Sequence, residues 1–194
     1  YTKVNLLDYL LKDKATFQKV VVFIDSKKNA DRLFLELEAN YWKELGIIHS
    51  NKSQNNRLAT IERFNDGQTR ILIASDIIAR GLDLDDISHV INFDTPKFPE
   101  NYIHRIGRTG RAKKMGNSIL LFTKDEEKNK LAIEKLMAKI IDSKKFPNEV
   151  VISKKLILDE QPKVVEKNPY KKSKQPRGPS FHEKKDKNKK QYNL

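Results

Sequence analysis

The chain has 194 residues, with 39 Lys/Arg against 26 Asp/Glu for a formal net charge of +13, and no cysteine. That length can bury a core without disulfides or metal, and the missing cysteines exclude a disulfide framework, a zinc ribbon and a thiol nucleophile. The charge points to a polyanionic partner, nucleic acid ahead of an acidic membrane, and no stretch nears the roughly 20 apolar residues that span a bilayer.

The chain opens on Tyr1-Thr2-Lys3-Val4, without an initiator methionine and without the basic-then-apolar pattern of a signal peptide. An excised fragment of a cytoplasmic protein is expected. Residues Val4–Lys12, with Leu6, Leu7, Leu10 and Leu11, predict a helix. Then come short apolar runs: Val20–Ile24, Gly46–His49, Ile71–Ala74, Val90–Phe93 and Ser118–Phe122. They are continuous rather than alternating, as in strands covered on both faces of a parallel sheet. Between them lie stripes at helical spacing, Ala30, Leu33, Phe34, Leu37 and then Leu58, Ile61, Phe64. A longer helix is predicted from Asp125, Glu126 and Glu127, favourable at a helix N-terminus, through Leu131, Ile133, Leu136, Met137 to Ile140 and Ile141. Strands alternating with helices make an open α/β sheet, whose ligands sit beyond the carboxyl ends of the strands.

Charge is unevenly spread. Residues 143–194 hold 15 Lys/Arg against 6 Asp/Glu, a net of +9 that leaves +4 for residues 1–142. From 162 on, the lysine runs 171–174 and 184–190 and the scarcity of aliphatic residues predict disorder, since too little apolar surface is available to offset ordering entropy. The expected organisation is a domain at 1–142, a transition at 143–161 and a Lys-rich tail at 162–194. The tail is expected to tether RNA, the alternative being a solvated run.

Two segments carry chemistry. In His104-Arg105-Ile106-Gly107-Arg108-Thr109-Gly110-Arg111, four cationic or imidazole side chains and two glycines fall within eight residues. Arg108 and Arg111 are three apart, on one side of a helical turn, and paired guanidinium groups suit a triphosphate. A solvated basic loop is the plain alternative. In Ser75-Asp76-Ile77-Ile78-Ala79-Arg80-Gly81-Leu82-Asp83, which follows an apolar run, Ser75 offers a hydroxyl and the turn offers N–H groups to a phosphate, while Asp83 suits a ribose hydroxyl. Here the alternative is a strand-to-helix turn capped by Asp76.

Together the two segments resemble motifs VI and V of the DEAD-box helicases of superfamily 2. His104–Arg111 matches the whole of HRIGRTGR; Ser75–Asp83 resembles T-D-V-A-A-R-G-L-D with Ser for Thr. Val21–Lys27 resembles motif IV, Gln54-Asn55-Asn56-Arg57 the Gln-x-x-Arg motif, and His49–Gln54 is closest to the bacterial RhlE-like branch. The resemblance, over about residues 3–142, implies a RecA-like helicase C-terminal domain and local, RNA-stimulated duplex unwinding driven by ATP. It implies that Arg108 and Arg111 reach the γ-phosphate, with Arg111 the arginine finger. Gly81 and Asp83 would adjoin the nucleotide, Asp83 at its ribose. Arg80 and His104 would face the first RecA-like domain of the same protein. Gln54, Arg57, Ser75, Asn51 and Lys27 would grip the RNA backbone without reading sequence; for Lys27 a solvated turn is the alternative.

No Gly-x-x-x-x-Gly-Lys-[Ser/Thr] and no Asp-Glu-Ala-Asp occurs in the 194 residues. ATP with Mg2+ is therefore expected to be held mainly by that first domain. A stand-alone RNA binder and a DNA-acting helicase are the rival readings. Arg108 and Arg111 favour an enzyme; the spacing at Gln54–Arg57 and the wording of motif VI favour RNA. The histidines His49, His89, His104 and His182 lack metal-ligand spacing, and Trp42 is expected to pack in the core.

Overall fold

The computed structural model describes residues 1–76, 84, 86–108 and 117–153, all within a compact unit spanning Tyr1–Leu156. The expected tail lies outside the described residues. Helix α1 (Thr2–Lys12) leads into strand β1 (Val20–Ile24), helix α2 (Lys27–Tyr41), strand β2 (Leu45–Ile48), helix α3 (Gln54–Asn65) and strand β3 (Ile71–Ser75). Then follow β4 (His89–Asn92), α4 (Pro99–Ile106), β5 (Asn117–Leu120), a 3-10 turn (Lys124–Glu126) and α5 (Glu127–Met137). The five strands form one parallel sheet in the order β2-β3-β1-β4-β5, so each predicted apolar run is a strand to within two residues at either end.

Side chains alternate across a strand, and the sheet uses both faces. Val20, Val22 and Ile24 join Leu7 and Leu11 of α1 and Ala30, Leu33 and Leu37 of α2 in one core. Val21 and Phe23 point the other way, to Ile48, Leu72 and Phe64 of α3. Complete burial of each such side chain contributes about 1.5–3 kcal/mol, which is why the central runs show no polar alternation. At Gly46 α3 and the chain before β3 pack close against β2: a Cβ there would meet Thr60 Cγ2 at 2.9 Å and Thr69 Cγ2 at 3.0 Å.

Local chemistry sets the helix starts. The Ser26 hydroxyl accepts from the Asn29 N–H at 3.1 Å and that of Ser53 from the Asn56 N–H at 3.3 Å, each satisfying an orphan donor of α2 or α3. Pro99 opens α4, where its missing N–H is harmless. Thr123 and Glu126 form a capping box. Glu126 also accepts from Lys3 Nζ at 2.7 Å and from the Thr95 N–H at 3.1 Å, fastening α1 to the end of β4. Beyond α5, the Thr2 hydroxyl donates to Ser153 O at 3.1 Å and Asn5 Nδ2 to Val151 O at 2.8 Å, so residues 151–153 return to α1.

Two expectations fail. Trp42 is 67% exposed and Tyr41 is the buried neighbour: at the end of α2 the core-facing position falls on Tyr41, one residue earlier and about 100° away around the helix. Helix α5 stops at Met137 rather than reaching Ile141. Ala138 is left-handed with φ 50°, the Lys139 N–H returns to Glu134 O at 3.2 Å, and Glu134 Oε1 takes the Ile141 N–H at 2.8 Å. This closure satisfies the terminal carbonyls and leaves Ile140 exposed.

Candidate functional site

The carboxyl ends of β1, β2 and β3 are neighbours, since Ile24 pairs with Ser75 and Ile48 with Ala74. That places five of the predicted residues along one edge. Lys27 is the first residue of α2, Asn51 lies in the loop after β2, Gln54 and Arg57 occupy the first turns of α3, and Ser75 ends β3. Two of them touch: Lys27 Nζ donates to Asn51 Oδ1 at 2.8 Å. Ser75 is buried. Arg57 is half-buried, and its Nε is fully enclosed without a partner among the described residues, a state that costs free energy unless a ligand relieves it.

Beyond β4, α4 carries the second set. His104 is exposed on the helix; Arg108 follows in the turn after Gly107, its Nε donating to His104 O at 3.3 Å. Arg80, Gly81, Asp83 and Arg111 lie outside the described residues. The sequence reading placed Arg108 and Arg111 on a helical turn and predicted no helix before them; Pro99–Ile106 is a helix whose buried positions are Tyr102 and Arg105.

Between the two sets sits Arg105, which the sequence reading did not single out. It is 2% exposed and uses all five N–H donors. Nε and Nη2 form a fork onto Asp76 at 2.6 and 2.8 Å. Nη2 also donates to Asp25 Oδ1 at 3.1 Å, and Nη1 to Asn92 Oδ1 at 3.2 Å and Asp94 O at 2.8 Å. Its guanidinium lies 5.3 Å from the centre of the Phe23 ring. The fork is the strong, geometrically specific form of ion pair. It ties α4 to the ends of β1, β3 and β4 at once, so Ser75 and Arg108 flank one clamp. A signal was present in the sequence: an aspartate stands within two residues after the runs ending at Ile24, Ala74 and Phe93.

The clamp is short of cation. Lost hydration pushes the Asp25 carboxyl above the usual carboxylate range despite the opposing charge of Arg105. Asp94 is raised by its burial too, although it accepts the Asp25 N–H at 3.0 Å. A carboxyl whose folded pKa is raised binds its proton more tightly in the native state. Its contribution to stability therefore falls as pH rises from the unfolded value, about 3.9, through the raised one. Asp94→Asn keeps the acceptor and removes the charge. It is expected to be at least as stable as the parent at pH 7, with the difference shrinking as pH drops through that window. Melting temperatures across pH check this, and a lower value for the variant at pH 7 would contradict it.

Over residues 2–113 the chain matches the family described as helicase conserved C-terminal domain. It is 43% identical over 115 residues to ATP-dependent RNA helicase p62 of Drosophila melanogaster, covering 59% of this chain and 16% of that protein. To DEAD-box ATP-dependent RNA helicase 20 of Arabidopsis thaliana it is 42% identical over 121 residues, covering 62% of this chain and 24% of that protein. The chain thus spans roughly a fifth of the length of these curated relatives. Its fold is similar to that of the E. coli DEAD-box protein SrmB bound to regulator of ribonuclease activity A, with TM-score 0.68 and 31% identity over 75% of this chain and 84% of that one. Domain 2 of the DEAD-box helicase Mss116p, bound to an RNA duplex, gives TM-score 0.66 and 30% identity over 75% of this chain and 59% of that one.

Proposed function

The chain belongs to the helicase conserved C-terminal domain family in the RecA-like form that DEAD-box proteins carry, and on that premise we propose that it grips the RNA backbone and completes the ATP site of an ATP-dependent RNA helicase. The observation that carries this reading is the Arg105 clamp. It joins the end of β3, which bears Ser75, to the helix that leads to Arg108, so both sets of groups are built on one hydrogen-bonded junction.

Lys27, Asn51, Gln54, Arg57 and Ser75 contact phosphates and sugars, which makes binding independent of sequence, and 2′-hydroxyl contacts favour RNA over DNA. Arg105 is engaged by the clamp through all five of its donors, and Arg108, whose Nε donates to His104 O, stands half-buried at the turn after α4. Arg108 and Arg111 neutralise charge on the terminal phosphate, Gly81 and Asp83 adjoin the nucleotide with Asp83 at its ribose, and Arg80 and His104 meet the first RecA-like domain. Bound ATP with Mg2+ supplies the phosphoanhydride whose hydrolysis drives the cycle. Among the described residues no cluster of His, Cys, Asp or Glu is arranged to hold a metal ion, and in this proposal Mg2+ is held by the first domain. ATP and RNA each favour the closed arrangement of the two domains, so their affinities are coupled reciprocally. A bacterial, RhlE-like origin, carried by the wording of His49–Gln54, and a cytoplasmic location belong to the same proposal.

The test is ATP hydrolysis by the full-length protein with RNA and with DNA of equal length: stimulation by RNA is expected, and stimulation by DNA alone would refute the reading. The tail adds a second measurement. Each phosphate neutralised adds roughly 0.7 to the log–log salt slope on a single strand. Removing residues 162–194 is expected to weaken RNA binding and flatten that slope; an unchanged slope would take the tail out of the interface.

A further inference from the structure

The loop that carries Asn51 is fastened at one buried point. His49, the residue after β2, is 1% exposed, and both of its ring nitrogens are engaged. Nε2 lies 2.9 Å from Asp31 Oδ1, and Nδ1 lies 3.3 Å from the backbone nitrogen of Asn51. A backbone N–H only donates, so Nδ1 is the acceptor and Nε2 carries the proton that Asp31 receives. The same Asp31 oxygen accepts from Lys52 Nζ at 3.0 Å. The Lys52 N–H returns to His49 O at 3.0 Å. With Lys27 Nζ on Asn51 Oδ1, the loop is tied to α2 on both sides before Ser53 caps α3.

We propose that His49 is a positioning residue for RNA binding: its buried ring, protonated at Nε2, sets the peptide of Asn51 and thereby aligns Asn51, Gln54 and Arg57 against the sugar–phosphate backbone. This rests on the reading of the β1–β3 edge as the RNA surface. The physical reason for histidine is that one flat ring presents an acceptor to the loop and a donor to α2. A buried polar group satisfied on one side alone would loosen the loop instead of holding it. Asp31 is the outer half of the device. Its side chain is 47% exposed, so it orients the ring without being part of the core.

Two substitutions separate the two bonds. In His49→Asn the amide oxygen stands near the position of Nδ1 and accepts from the Asn51 N–H, without reaching Asp31. In His49→Gln the amide nitrogen stands near Nε2 and donates to Asp31, leaving the Asn51 N–H without an acceptor. Binding of a short single-stranded oligouridylate to the 194-residue chain is expected to weaken about three- to tenfold in His49→Gln, the range of one hydrogen bond, and to be largely retained in His49→Asn. The salt slope should stay at the parent value in both, because the ring is neutral, whereas Arg57→Ala and Lys27→Ala should each lower it by up to about 0.7.

Asp31→Ala, which removes the outer partner of the ring and of Lys52 at a half-exposed position, supplies a test of opposite sign. Removing a carboxylate beside a polyanion site strengthens binding by charge alone; loss of positioning weakens it, and weakening is the expected result. If Arg57→Ala and Lys27→Ala leave RNA affinity unchanged, the RNA-surface reading itself fails. If they weaken it while His49→Gln binds like the parent, or if His49→Asn and His49→Gln lose affinity equally and in step with their melting temperatures, the positioning role is overturned. Tighter binding by Asp31→Ala overturns it as well.

Discussion

Arg105→Ala is expected to destabilise the domain by about 3–5 kcal/mol, the cost of removing one partner from a buried ion pair. The guanidinium satisfies five acceptor contacts on Asp25, Asp76, Asn92 and Asp94. Its removal leaves the carboxylates of Asp76 and Asp25 facing each other at the sheet edge with their cation gone. The lost contact with Phe23 adds to this. For a domain of this size a loss of 3–5 kcal/mol corresponds to a fall in melting temperature of roughly 10 °C or more. Arg105→Lys should lose less stability but still fail, because a single ammonium has three donors and no fork. The deficit has a pH signature. Burial already raises the folded pKa of Asp25 and Arg105 opposes that rise, so without the guanidinium the variant regains stability as pH falls through the range above the unfolded value. A melting temperature within a few degrees of the parent, with no such recovery in acid, would show that the clamp does not carry the fold of this edge.

On the proposed function, Arg111→Ala in the full-length protein is expected to lower the rate of ATP hydrolysis by about 10³–10⁵-fold, the range for an arginine finger. Arg108→Ala should act in the same direction. Both contribute where charge develops on the transferring phosphoryl group, so the loss should appear in kcat and not chiefly in the KM for ATP. RNA affinity in the absence of nucleotide should change little, since the groups assigned to RNA lie past β1, β2 and β3 and not on α4. The 194-residue chain contains no Gly-x-x-x-x-Gly-Lys-[Ser/Thr] loop, and by itself it is expected to hydrolyse no ATP. Normal turnover in an Arg108→Ala, Arg111→Ala double variant would remove the enzymatic reading and leave a basic RNA binder.

Much of the fold was legible because its signals are local. A run such as Val20–Ile24 is apolar throughout and is buried on both faces. Helix stripes such as Ala30, Leu33 and Leu37 are equally local, and those residues are buried in α2. The residues proposed to hold RNA come after the first three apolar runs, which placed them toward the carboxyl edge of the sheet. Where signals were weak or competed, the reading slipped. Trp42 is large and apolar, but hydrophobicity alone does not say which of two adjacent residues faces inward. Ile140 and Ile141 continue an apolar pattern that the left-handed Ala138 interrupts. In α4 a buried arginine occupies the inward position that a hydrophobe would normally mark.

By itself the sequence determined the strands, most of the helices, the two-faced parallel sheet and the motif residues, because each depends on neighbours within a few positions along the chain. Only the tertiary structure decided that Arg105 is buried at the meeting point of three strands. Its partners lie between 11 and 80 residues away, and they converge because the strand order β2-β3-β1-β4-β5 sets the ends of β3, β1 and β4 side by side. That order follows from how the covered faces pack together, a property of the whole sheet that no single segment encodes.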